Sequence, residues 1–217
     1  MILSKIKTLI EYAKFGICIS RYVNGETVID ELFCPRSITT YSTEKIGNFT
    51  VKCKKLSGYI KKINGAYMFQ NYRDLVELDL PYCTSFTADS TWGTTNNGTN
   101  QKVKSIKLPS LRVVNRRVFW GLASLEYLEL GALTSVDTYA LGGASSLTDL
   151  YVKAPVTCSL FLYESPNLKQ ECLHKIIENY ADMTGATAPT FHVGGANMMK
   201  IDKEHIAMLE SKNIFYQ

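Results

Sequence analysis

Through the middle of the chain, the spacing apolar-x-x-apolar-x-apolar restarts at intervals of about 22 residues, a period in the range of stacked repeat units. It reads Leu75-Leu78-Leu80, Val103-Ile106-Leu108, Leu125-Leu128-Leu130 and Leu147-Leu150-Val152. A sequence that repeats on this scale does not close around one core; its units stack, each burying its apolar face against the next. Energetics require the stacking. Each unit carries about five or six large apolar side chains, worth ~1.5–3 kcal/mol apiece when buried. Ordering some twenty backbone residues costs ~1–2 kcal/mol each. One unit cannot stand alone, so neighbours and terminal caps are required.

Two successive units of equal length, 103–124 and 125–146, lay out the pattern. A short strand comes first, VKSIKLP or LEYLELG. Its alternation turns Ile106 and Leu108, or Leu128 and Leu130, inward. Pro109 or Gly131 then ends the strand, since neither suits a strand interior. A second apolar pair follows, Leu111 with Val114 or Leu133 with Val136. The unit closes on a compact turn, FWGLAS or LGGASS. That turn has its own spacing, from Phe69 to Leu75, Phe119 to Leu125, Leu141 to Leu147 and Leu162 to Leu168. Trp120-Gly121 falls where Trp92-Gly93 and Gly142-Gly143 fall, so Trp120 reads as packing between coils. The unit starting at Leu75 is longer, running on to Lys102. Its surplus lies within the polar run TTNNGTNQK, an exposed loop over 94–102. Cys83 aligns with Leu111 and Leu133, and Cys158 with Phe86, Val114 and Val136. Both are expected in the core as reduced thiols.

In spacing, VNRRVFWGLASLEYLEL and VDTYALGGASSLTDLYV resemble the BspA-type leucine-rich repeats of bacterial and some protozoan surface proteins. Val114 or Val136 takes the aliphatic slot, and Phe119 or Leu141 the aromatic one. The family's alanine is present as Ala140 but is Val118 in the preceding unit, and its cysteine is replaced by Leu122 and Ala144. The likeness covers roughly residues 56–168. It implies an α/β leucine-rich-repeat solenoid of short parallel strands, no catalytic centre, a role in adhesion or protein binding, and a bacterial surface or secreted location.

The flanks read as caps. Residues 1–55 form a mixed N-terminal cap: an amphipathic helix over 1–15 with Ile2, Leu3, Ile6, Leu9, Ile10 and Ala13 at helical spacing, then strands including a hairpin turning at Asn24-Gly25. Residues 169–217 form an α/β C-terminal cap ordered helix, strand, helix, strand. Ser165-Pro166-Asn167 signals the start of the first helix. Leu168, Cys172, Leu173, Ile176, Ile177 and Tyr180 form its apolar stripe. Thr190 to Val193 is the first strand, Asp202 to Ser211 the second helix, and Asn213 to Tyr216 the last strand. Similar tails end repeat proteins of gut bacteria and their phages.

Composition excludes several classes. Hydrophobic content of 46% and charged content of 20% are ordinary for a globular chain. A net charge of +4 over 217 residues, without aromatic-basic interleaving, gives no nucleic-acid footprint. Lysines interrupt the N-terminal apolar run, so it lacks the pattern of a secretory leader. No stretch reaches the length of a membrane span. The six cysteines contain no C-x-x-C pair. His174, His192 and His205 sit in three different expected elements without i,i+4 spacing, so no metal or cofactor is expected. No nucleophile elbow, phosphate loop or dinucleotide fingerprint occurs, and the chain reads as a non-enzyme.

What remains is the outward side of the strands. Glu77 and Asp79, Ser105 and Lys107, Tyr127 and Glu129, and Asp149 and Tyr151 are expected to stand in two columns, about 5 Å apart from strand to strand. Two exposed tyrosines beside mixed charge suit a protein or carbohydrate ligand. The alternative expectation is a structural or assembly component of phage origin, for which the N-terminal helix would be a contact.

Overall fold

The computed structural model describes residues 17–23, 26–34, 40–41, 53–63, 69, 74–86 and 102–217. Along the repeats, each unit contributes two short strands that enter two different sheets. The first sheet holds seven strands: β1 (Ile17–Val23), β2 (Glu26–Cys34), β4 (Cys53–Gly58), β6 (Glu77–Asp79), β8 (Ser105–Leu108), β10 (Tyr127–Leu130) and β12 (Asp149–Val152), in that spatial order. The second holds five, in the order β11 (Ser135–Val136), β9 (Val113–Val114), β7 (Ser85–Phe86), β5 (Lys62–Ile63) and β3 (Thr40–Tyr41). Every pairing is parallel except that of β1 with β2.

Register follows the leucine spacing. Lys55, Glu77, Ser105, Tyr127 and Asp149 are partners across successive strands, as are Leu56, Leu78, Ile106, Leu128 and Leu150. The longer unit keeps this register because its surplus falls between β7 and β8, outside both ladders. Alternation explains why slippage is disfavoured. A shift of one residue would send a whole apolar row to the outer face. Leu56, Leu78, Ile106 and Leu128 are fully buried, and Leu150 nearly so. From the second sheet Ile63, Phe86 and Val114 join the same core, where Phe86 lies 6.2 Å from Phe69 and 5.9 Å from Phe119, ring centre to ring centre.

In the aligned apolar pairs Leu111/Val114 and Leu133/Val136, the valines enter a second ladder. Cys83 is fully buried, as its alignment with Leu111 predicts. Cys158 packs only partly against the core, because the local pairing moves on to β13 (Leu160–Phe161). The parallel ladder also reaches upstream of residue 56, since Glu31 in β2 partners Lys55 in β4. Val23 opposite Glu26 brackets the expected hairpin turn, whose own residues Asn24 and Gly25 lie outside the described ones, as do the helix expected over 1–15, Trp92-Gly93 and residues 94–101.

After β12 the chain changes character. Lys169 N–H donates to Thr148 O, repeating the bonds from Thr148 N–H to Glu126 O and from Glu126 N–H to Lys104 O. At that point a helix, α1 (Gln170–Asn179), takes the place of the next strand. It starts later than Ser165-Pro166-Asn167 predicts. Asn167 is not a helix cap; its Nδ2 reaches back to Ser145 O at 2.8 Å. The last strand of a sheet leaves alternate carbonyls without partners. Of these, Thr148 O, just before β12, accepts from Lys169 N–H, and Val152 O accepts from Asn179 Nδ2 at 2.7 Å, while the Cys172 sulfur lies against the Leu150 backbone between them.

A third sheet of parallel strands, β13 (Leu160–Phe161), β14 (Thr190–His192) and β15 (Phe215–Tyr216), completes the C-terminal part together with the one-turn α2 (Gly195–Met198) and α3 (Lys203–Ser211). Lys212 Nζ donates to the carbonyls of Ile177, Glu178 and Tyr180, setting a cation at the negative end of α1. No helix among the described residues is long and apolar enough to cross a membrane.

Candidate binding face

Because strand side chains alternate and the ladder is in register, the outward residues line up as the spacing predicts. One row runs Glu77, Ser105, Tyr127, Asp149, and the next runs Asp79, Lys107, Glu129, Tyr151. The structure adds Lys55 of β4, which stands beside Glu77; Ser57, beside Asp79, is on the same side but buried.

Charges on this face are cross-linked from strand to strand. Glu77 Oε1 lies 3.5 Å from Lys55 Nζ and 3.7 Å from Lys107 Nζ. At the end of the sheet Lys169 Nζ donates to Asp149 Oδ1 at 2.7 Å, and the Thr148 hydroxyl donates to Asp149 Oδ2. These two donors hold the Asp149 carboxyl below its usual range, the lysine contributing most. Beside Asp149, on the last two strands, stands an aromatic patch. The rings of Tyr127 and Tyr151 lie 5.5 Å apart at 39°, and Lys107 Nζ sits 5.9 Å from the centre of the Tyr127 ring. Tyr127 donates to Glu129 at 3.4 Å; burial, and then that carboxylate, push its hydroxyl pKa upward. Tyr151 is 42% exposed.

Beside the same sheet Tyr59 and Tyr82 stack at 4.8 Å, Tyr82 being 47% exposed. The sequence reading missed this pair because both residues fall after strand ends, where the alternation rule no longer assigns a side. On another edge, Val114, Asn115, Arg116, Ser135, Val136, Asp137 and Thr138 line a shallow polar recess of about 490 Å³.

The three histidines separate into two environments. His192 lies in β14 against the rings of Phe161 and Tyr163. His174 and His205 meet: α1 and α3 bring their rings into a stack at 3.6 Å.

No protein-family model matches the chain, and no curated protein is detectably similar in sequence. Among solved structures, a leucine-rich repeat protein of T. pallidum (TpLRR) aligns with a TM-score of 0.44 and 14% identity, over 76% of this chain and 94% of its own.

Proposed function

We propose that the chain is a non-catalytic binding module, a leucine-rich-repeat solenoid of BspA type, that recognises a protein or glycan through the outward face of its seven-stranded sheet. The observation that carries this reading is the tyrosine pair at the β12 end of that face. Tyr127 and Tyr151 lie 5.5 Å apart on neighbouring strands, with Glu129, Asp149 and Lys107 around them. Such a patch offers rigid aromatic area at low entropic cost, with polar groups at hand to orient a ligand. The in-register ladder holds those groups at fixed spacing, so ligand binding orders little that is not already ordered.

A glycan array and a pull-down with wild type and the Tyr127→Ala/Tyr151→Ala double variant test this. Both substitutions lie on the outer face, so the variant keeps its core. Loss of retained ligand in the variant alone is the expected result. Equal retention by both forms removes the site from this face.

A further inference from the structure

We propose that His174, Asp202 and His205, with Glu178 beside them, form a binding site for a divalent transition-metal ion of the zinc type, independent of any ligand on the sheet. His174 and Glu178 are one turn apart on α1, and Asp202 and His205 are the N-cap and third residue of α3. The folding of two distant segments therefore brings together two imidazoles and two carboxylates. Ligand atoms of His174, Asp202 and His205 all lie within 4.8 Å of one another.

Three of these groups stand near the separations of a ligand shell, with Glu178 just outside it. Four ligands on a tetrahedral zinc ion stand about 3.4 Å from each other, given bonds near 2.1 Å. Here His174 Nε2 is 3.6 Å from Asp202 Oδ2 and 3.2 Å from Lys200 O. His205 Nδ1 is hydrogen-bonded to Asp202 Oδ1 at 2.7 Å, and Glu178 Oε1 meets the ring 4.0 Å from its other nitrogen, Nε2. The imidazole side chains are only 16% and 13% exposed, whereas Asp202 and Glu178 are 46% and 43% exposed. The nitrogens are thus held by the protein while the carboxylates face the solvent from which an ion arrives. Imidazole selects zinc, nickel, copper or cobalt over magnesium and calcium, and two carboxylates neutralise the ion's charge.

A helix-capping role accounts for part of this arrangement. Asp202 accepts from His205 N–H at 2.9 Å, as an N-cap should. Capping does not account for His174 and Glu178, which belong to another helix. The two rings are nearly parallel, inclined by 18°. An ion lies near the plane of each imidazole that binds it, so one ring must turn out of the stack as the ion enters. Glu178 must also leave Lys175, which pairs with it at 2.7 Å. Binding is therefore coupled to an observable change in the histidine rings.

The test is titration of the full chain with ZnCl₂, followed by calorimetry and by the imidazole proton resonances, with Co²⁺ as a spectroscopic probe of geometry. The expected result is one equivalent bound, shifted resonances from His174 and His205, at least tenfold weaker binding in His174→Gln and in His205→Gln, and a smaller loss in Glu178→Gln. Asp202→Ser, which keeps a helix cap, is expected to weaken binding as well. Circular dichroism confirms that each variant folds. No uptake by wild type, or uptake unchanged in His174→Gln and His205→Gln, overturns the proposal; the latter result would place the ion on thiols or His192.

Discussion

Trp120 lies across Gly142 of the following repeat unit, so closely that a Cβ on that glycine would stand 2.6 Å from Trp120 Cδ1 and 2.9 Å from its Nε1. The tryptophan is therefore the packing element that the alignment of units predicts, and the glycine is its counterpart. Gly142→Ala is expected to cost about 1–3 kcal/mol in urea denaturation, as overpacking does. Combining it with Trp120→Leu should recover part of the loss, giving a non-zero coupling energy. Gly131→Ala should cost more and find no such rescue, because its Cβ would strike backbone atoms of Leu111 in the preceding unit.

Asn179 ends α1 with its Nδ2 on Val152 O, the last open carbonyl of the edge strand β12. Val152 is 3% exposed, so removing the donor strands a buried acceptor. Asn179→Ala is expected to lose about 1–3 kcal/mol of stability. The exposed pair Lys102–Asp74 serves as the control, since Lys102→Ala should be nearly neutral.

Burial pushes the thiol pKa of both Cys83 and Cys158 up to about 12, and burial raises that of Cys172 as well. All three are free. With Cys18, Cys34 and Cys53 replaced by alanine, the native protein at pH 8 should react slowly with Ellman's reagent, and rapidly once denatured. Cys158, the most exposed of the three, should react first. Prompt native reaction of Cys83 would contradict its place in the core.

Asp149 has a folded pKa below its unfolded one, chiefly because of Lys169. Its contribution to stability is therefore complete above the ordinary aspartate range, about pH 4, and is lost as pH falls through the lowered value. Asp149→Asn should flatten the acid limb of the stability curve below that pH and leave its shape above it unchanged. Measuring unfolding midpoints between about pH 2 and 7 for both forms checks this.

The repeat was legible because register and burial are both consequences of period. Leu78, Ile106, Leu128 and Leu150 could be placed opposite one another from spacing alone. The outward residues from Glu77 to Tyr151 followed by alternation. Gly131 was legible only in part: its place at a strand end reads as strand termination, but the constraint on it is the backbone of Leu111 in another unit. Likewise Asn167 carries a helix-start signal that the fold overrides by giving its side chain to Ser145.

By itself, then, the sequence determined the stacking of units, the ladder of leucines and the side of each strand residue, since periodicity is a local property that survives without coordinates. Only the tertiary structure decided what happens where the period stops. It set α1 on the open edge of β12 and stacked His174 of one helix on His205 of another. The helix contacts join segments with no common spacing, and only the folded chain brings them together.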